Sequence, residues 1–142
     1  MIGKPKIVIP TIGLMTLNQY TNENRKNRFG GAAKKKQATQ ICALHTKKAM
    51  REGFKINSLP VNLQFDWYAK DKRTDPDNLA FMKKYLLDGF QNAGLIENDN
   101  WATIQGWTET FHIDKENPRV EVTEIRLVNQ HPNIVESAES TE

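Results

Sequence analysis

Apolar and polar residues alternate most regularly between Val61 and Tyr68. The apolar positions of this segment share one side of an extended chain: Val61, Leu63, Phe65 and Trp67. A period of two residues predicts a half-buried β-strand. An earlier β-branched segment, Lys6 to Ile9, predicts a first strand that stops near Pro10.

Helical periodicity appears in two places. Between Ala32 and Glu52 a segment rich in Ala, Lys and Gln predicts a helix, with Gly53 as the residue that ends it. A second helix is predicted from Pro76 to Ala93. Its core-facing stripe recurs at spacings of three and four residues: Leu79, Met82, Leu86, Phe90 and Ala93.

Two further strands are predicted at Trp101 to Ile113 and at Arg119 to Val128, joined as a hairpin, with a bulge in the second. Residues 14–31 are polar and basic and predict a long surface loop. The order β-α-β-α-β-β predicts an α/β fold: one small domain over residues 1–128, with helices packed on a small mixed sheet. Residues 129–142 are polar and acidic, and we expect a disordered tail.

Composition fits a protein that works in the cytoplasm. No apolar run approaches the ~20 residues of a membrane span, and the first residues lack the apolar core of a signal peptide. The single cysteine, Cys42, excludes an intramolecular disulfide and a multi-cysteine zinc site. It lies within a helical pattern, so we expect a buried structural thiol.

Charge is distributed unevenly along the chain. Residues 1–60 contain 12 Lys/Arg and two acidic residues, whereas residues 61–142 contain 8 Lys/Arg and 15 acidic residues. One half can therefore attract a polyanion while the other can hold a cation. The alternative is two solvated surfaces of opposite sign. If the first half binds DNA, the residues that follow its backbone are Arg25, Lys26, Arg28, Lys34, Lys35 and Lys36.

The main candidates for metal-binding or catalytic residues begin in the segment Asp75-Pro76-Asp77-Asn78-Leu79. Helix capping alone explains its two acids, because Asp75 suits the N-cap and Asp77 the first turn. Capping does not explain Asp99, which follows a Gly94 stop signal. If the chain turns back there, three carboxylates converge, and oxygen ligands without cysteine favour Mg²⁺, for which Mn²⁺ can substitute. Lys84, seven residues after Asp77, would share its helix face.

These motifs resemble those of the RusA-type Holliday junction resolvases, a family often carried by phages and prophages. The shared pattern is Asp-x-Asp-Asn-Leu opening a helix, then Lys-x-x-x-Asp (Lys84 to Asp88), then Ala93-Gly94 and a further aspartate, Asp99. The segment Leu17-Asn18-Gln19-Tyr20 is similar to an Asn-x-Tyr element of that family. The family lysine usually follows the second aspartate by four residues, where this chain has Phe81.

The resemblance implies a homodimeric, Mg²⁺-dependent endonuclease that cuts four-way DNA junctions in recombination and repair. Asp75, Asp77 and Asp99 would hold the metal and Lys84 would stabilise developing charge, with Asn18 and Lys83 on the DNA. Two alternatives stay open: a non-catalytic DNA-binding phage accessory protein, or a nuclease acting on other branched DNA or on RNA.

The subunit contact is predicted from a second apolar pair on the acid-bearing helix. Phe81 and Tyr85 are four residues apart, on a face next to the core stripe. A four-stranded sheet is too small to cover both faces of this helix. We therefore expect an exposed aromatic patch near the contact between two copies.

Overall fold

A computed structural model of the chain describes residues 5–26 and 28–125. The predicted tail, 129–142, and the last three residues of the predicted fourth strand lie outside this part. The elements follow one another as β1 (Ile7–Pro10), α1 (Leu17–Lys26), α2 (Arg28–Arg51), β2 (Val61–Ala69), α3 (Pro76–Ala80), α4 (Lys83–Ala93), β3 (Ile104–Ile113) and β4 (Arg119–Ile125). The predicted class, one small α/β domain with a mixed sheet, is confirmed. Within the described ranges no helix has both the length and the apolar character needed to span a membrane.

The sheet has the strand order β1-β4-β2-β3. β2 and β3 run parallel, whereas β4 is antiparallel to both of its neighbours, β1 and β2. The predicted hairpin is wrong, since β2 lies between β3 and β4. β4 pairs with β1 on one side and with β2 on the other, so it lies inside the sheet, where Val120 and Val122 are completely buried. The predicted bulge in β4 is also wrong, because its register with β2 is continuous from Arg119 to Ile125.

The helices cover one face of this sheet. The four alternating apolar residues of β2 are at most 1% exposed, which confirms the predicted strand. They belong to one buried cluster with Met82, Leu86 and Phe90 of the predicted helical stripe. Gly89 lets two helices approach closely, because a Cβ built there would lie 2.6 Å from the Cβ of Cys42. The arrangement is a two-layer domain with its core between the sheet and the helices.

The longest helix begins earlier than predicted, at Arg28 rather than Ala32. Its end is as expected: Gly53 has φ of 109°, and the Phe54 N–H donates to the Ala49 carbonyl at 2.9 Å. Cys42 is buried, and burial raises the pKa of its thiol to about 12. The thiol therefore stays protonated, which agrees with the predicted structural role.

The prediction of a long loop over residues 14–31 is wrong. Most of this stretch is helical, and α1 opens with a reciprocal capping box. The Thr16 N–H donates to Gln19 Oε1 at 3.0 Å, and the Gln19 N–H donates to Thr16 Oγ1 at 3.4 Å. The pattern Thr-x-x-Gln was the sequence signal for this helix. Its polar composition hid the periodicity.

Helix α1 covers the face on which an exposed aromatic patch, Phe81 and Tyr85, was predicted. Tyr20 of α1 packs on Phe81 with ring centroids 5.6 Å apart, and Phe81 meets Tyr85 edge-on at 5.7 Å. Tyr85 is only 1% exposed and Phe81 is half-buried. The expectation of an exposed Phe81–Tyr85 contact surface is therefore wrong, since α1 covers this face.

Candidate catalytic and nucleic-acid-binding site

The acidic motif lies just beyond the carboxyl end of β2. Asp75 caps α3 with its backbone: its carbonyl accepts the N–H groups of Asn78 at 3.0 Å and Leu79 at 3.2 Å. Within the described chain, the Asp75 side chain makes no capping hydrogen bond. Asp75 and Asp77 are both exposed. Capping thus does not engage the Asp75 carboxylate, which stays available to a ligand.

Asn78 adds a second polar feature to the same helix turn. Its Oδ1 atom is buried and has no hydrogen-bond partner among the described residues. An unpaired buried acceptor is costly unless a donor, a water molecule or a cation satisfies it. The motif therefore combines two exposed carboxylates with a neighbouring unpaired amide oxygen, all of them hard oxygen ligands.

Asp99 lies at the opposite end of the molecule from this motif. β2 and β3 run parallel, with Val61 beside Ile104 and Ala69 beside Ile113, and one register shift after Val61. Asp99 precedes the start of β3, whereas Asp75 follows the end of β2. Nine strand residues span roughly 30 Å at ~3.3 Å each, so one strand length separates the two acids. In agreement, no three acidic, His or Cys side chains in residues 5–26 and 28–125 gather into a possible metal site.

The expected convergence of Asp75, Asp77 and Asp99 within one chain is therefore wrong. It assumed that the chain turns back along the helix after Gly94. Instead, the helices carry the chain from one end of the sheet to the other, and a strand parallel to β2 must then begin at the far end. The direction of β3 alone separates the third carboxylate from the first two.

Lys84 has a partner on its own helix. Its Nζ lies 3.3 Å from Asp88 Oδ1, one turn further from Asp77, and its side chain is 52% exposed. The predicted helix is also interrupted, since α3 ends at Ala80 and α4 begins at Lys83. The ion pair given for Lys84 is thus with Asp88 rather than with an acid of the motif, and its catalytic role stays a prediction.

Lys83 is built into the fold rather than presented to solvent. Its Nζ lies 2.9 Å from Glu109 Oε1 on β3 and 4.8 Å from the centre of the Trp107 ring. Glu109 also accepts the Trp67 indole N–H at 2.8 Å. The charge of Lys83 is therefore already paired within the fold, and its DNA contact stays a prediction. The sequence signal for this ion pair was Glu109, an acid that shares the alternating face of Trp107 and Phe111.

The remaining basic residues lie on the two N-terminal helices. Asn18, Arg25 and Lys26 are exposed on α1, and on α2 Lys34 and Lys36 are exposed while Lys35 is half-buried. Arg28 begins α2, but its side chain is outside the described part. Lys26 and Lys34 line one cavity of about 590 Å³, and Lys35 and Lys36 line another of about 780 Å³. The predicted basic surface is therefore carried by helices, not by a loop.

The short charged loop between β2 and α3 lies beside the start of α1. A cavity of about 400 Å³ is lined by residues of both regions: Thr16 and Gln19 on one side, and Lys70, Asp71, Arg73 and Leu79 on the other. The Arg73 guanidinium donates to Asp71 at 2.7 Å and lowers the pKa of that carboxyl to about 2. This pair joins two residues of the loop that leads into Asp75. Lys70 and Lys72 in the same loop are exposed.

Comparisons with protein-family models, with curated proteins and with solved structures give no match for this chain.

Proposed function

We propose that this protein is a divalent-metal-dependent endonuclease acting on branched DNA, with the four-way junction as its first candidate substrate. The observation that carries the proposal is the acidic motif: capping leaves the Asp75 carboxylate unused, Asp77 is exposed, and the adjacent Asn78 oxygen is unpaired. Exposed carboxylates next to a loop with Lys70, Lys72 and Arg73 suit a metal held against phosphate.

The metal we propose is Mg²⁺, with Mn²⁺ as a substitute. Once bound, such an ion activates water and offsets charge on a phosphate. At this end of the sheet Asp71 is paired with Arg73 and Asp114 with Arg119, which leaves Asp75 and Asp77 of the motif. Among the described residues these acids do not form the predicted three-carboxylate site. No catalytic step is therefore assigned to a single chain.

A second copy resolves this shortfall. A two-fold axis can place one end of a molecule beside the opposite end of its partner. Asp99 of one copy could then complete the pair formed by Asp75 and Asp77 in the other. Two such sites per homodimer would match the two cuts that resolve a four-way junction.

DNA would be held by the basic surface of α1 and α2. Its exposed charges are Arg25, Lys26, Lys34 and Lys36, and the α1 end of this region approaches the acidic motif through Thr16 and Gln19. Contacts to phosphate release counterions, so affinity should fall steeply with salt. For six such contacts the log–log slope would be about −5.

The direct experiment incubates the purified protein with a four-way junction or linear duplex, in Mg²⁺ or in EDTA. We expect Mg²⁺-dependent cleavage of the junction. Asp77→Asn and Asp99→Asn should each abolish cleavage and leave binding intact, because a metal ligand needs its charge whereas the basic surface does not. Glu97→Gln is the matched control, since Glu97 is an exposed acid two residues from Asp99.

Mixing the two inactive variants tests whether the site is shared between copies. A mixed dimer has one site with both Asp77 and Asp99 intact and one site with neither. After random exchange, about a quarter of the wild-type sites would be restored, and each would cut one strand. Absence of any restored nicking, with subunit exchange demonstrated, would contradict a shared site.

The separation of the acids within one chain favours a second candidate, a non-catalytic DNA-binding protein. Salt-dependent junction binding without cleavage in either Mg²⁺ or Mn²⁺ would support it. A panel of forks, flaps and structured RNA separates junction specificity from a nuclease of broader substrate range.

A further inference from the structure

Exposed apolar side chains concentrate along one strand. Trp107 is 46% exposed, Ile113 is 50% exposed, and Phe111 between them is also exposed. Their register partners on β2 are Leu63, Ala69 and Trp67, all buried beneath the helices. The three β3 residues therefore extend the core face of the sheet beyond the area that the helices cover.

This strand is also an open edge. β3 is ten residues long and pairs with β2 on one side, and no strand of the described chain pairs with its other side. A long edge strand with exposed apolar side chains is a template for another strand. Soluble monomers rarely leave such a surface uncovered.

The two ends of β3 carry complementary features. Before its start, Trp101 is 94% exposed. Near its end, Phe111 and Ile113 line an apolar groove of about 220 Å³ together with Thr74 and Pro76. A protruding aromatic side chain and an apolar groove thus lie one strand length apart.

We propose that two copies of this chain pair antiparallel along β3, with Trp101 of each copy seated in the groove of the other. Antiparallel pairing brings the start of one strand beside the end of its partner, which is the displacement that separates Trp101 from the groove. A surface that fits itself in this way forms a closed two-fold dimer. The occupant of the edge is therefore a second copy rather than an unrelated protein.

This pairing also completes the proposed metal site, a consequence that rests on the proposed function. The groove includes Pro76, which lies between Asp75 and Asp77. Asp99 is two residues from Trp101, so a seated Trp101 carries the partner's third carboxylate to the first two. The interface itself rests on the exposed strand, Trp101 and the groove, and does not depend on the metal site.

The first test measures molecular mass by light scattering across a concentration series. We expect a wild-type dimer, a monomer for Trp107→Glu, and for Trp101→Ala a dissociation constant raised by about tenfold or more, as for a buried interface tryptophan. Phe111→Glu provides a second disruptive variant should Trp107→Glu fail to fold by circular dichroism. Leu44→Glu is the matched control, because Leu44 is 62% exposed on α2 and should leave the dimer unchanged.

Cross-linking tests the antiparallel arrangement. The native Cys42 is buried, so introduced cysteines react alone. Trp101→Cys mixed with Ile113→Cys should form a covalent dimer with a short bismaleimide, and Leu44→Cys mixed with Ile113→Cys should not. A monomeric wild type, or a dimer that survives both Trp107→Glu and Phe111→Glu, would overturn the proposal.

The interface and the proposed function fail separately. A β3 dimer that cuts no branched DNA would leave the interface standing and remove the nuclease. Junction cleavage by a wild-type protein that stays monomeric across the concentration series would remove the interface and the shared site and leave the nuclease.

Discussion

The two edges of the sheet differ in how well they are protected against pairing with another strand. β1 is four residues long, ends at Pro10, and buries Ile7 and Ile9 completely. β3 is ten residues long and leaves most of its apolar side chains exposed. Short length and proline make the first edge a poor template for pairing, whereas the second is long and apolar. Within the described chain one edge is thus protected by its own sequence, whereas the other is left long and apolar.

The largest difference between the edges should appear in matched truncations. Ile9→Ala removes a fully buried side chain and should lower the free energy of unfolding by about 2–5 kcal/mol. Ile113→Ala removes a half-exposed side chain and should lower it by less than about 1 kcal/mol in dilute protein. Urea unfolding followed by circular dichroism measures both. Equal losses would mean that the helix-side face of β3 is covered in the monomer.

The attachment of β3 to the helices gives the next largest effect. Lys83→Met would leave the Glu109 carboxylate partly buried without its cation and should cost about 1–3 kcal/mol of unfolding free energy. Lys84→Met removes an exposed pair with Asp88 and should cost no more than about 0.5 kcal/mol. A double variant with Glu109→Gln should recover part of the Lys83 loss. Similar small losses for both lysines would show that the Lys83 pair does not hold the edge.

The smallest effect concerns acid stability at the β1 edge. Burial by itself would raise the pKa of Glu121, but hydrogen bonds from Lys6 and Arg119, each at 2.8 Å, outweigh it and lower this pKa. The resulting stability is fully present above the unfolded-state value of about 4.3 and is lost as pH falls through the lower folded-state value.

Thermal midpoints between neutral and acid pH check this expectation. Glu121→Gln should flatten the acid limb of the profile, while Glu116→Gln, an exposed acid in the β3–β4 turn, should leave it unchanged. An acid limb that is the same in wild type and Glu121→Gln would show that the ion pair does not stabilise the β1 edge.

Local patterns predicted the elements that bury a regular face. The alternation from Val61 to Trp67 gave β2, the stripe from Leu79 to Phe90 gave the helix behind it, and Gly53 marked a helix end. Each depends on residues within a few positions of one another. Helix α1 was not predicted, because it is short and polar. Its Thr16–Gln19 capping box was nevertheless visible in the sequence.

The acidic motif was likewise readable from the sequence, because Asp75, Asp77 and Asn78 lie within one helix turn. Its relation to Asp99 was not, since that depends on whether β3 runs parallel or antiparallel to β2. The pairing of the strands also placed β4 between β1 and β2 and left β3 at an edge. Spacing along the chain fixes which side chains share a face. Only the pairing of distant strands decided which ends of the molecule meet, because strand order and direction depend on contacts between residues far apart in the chain.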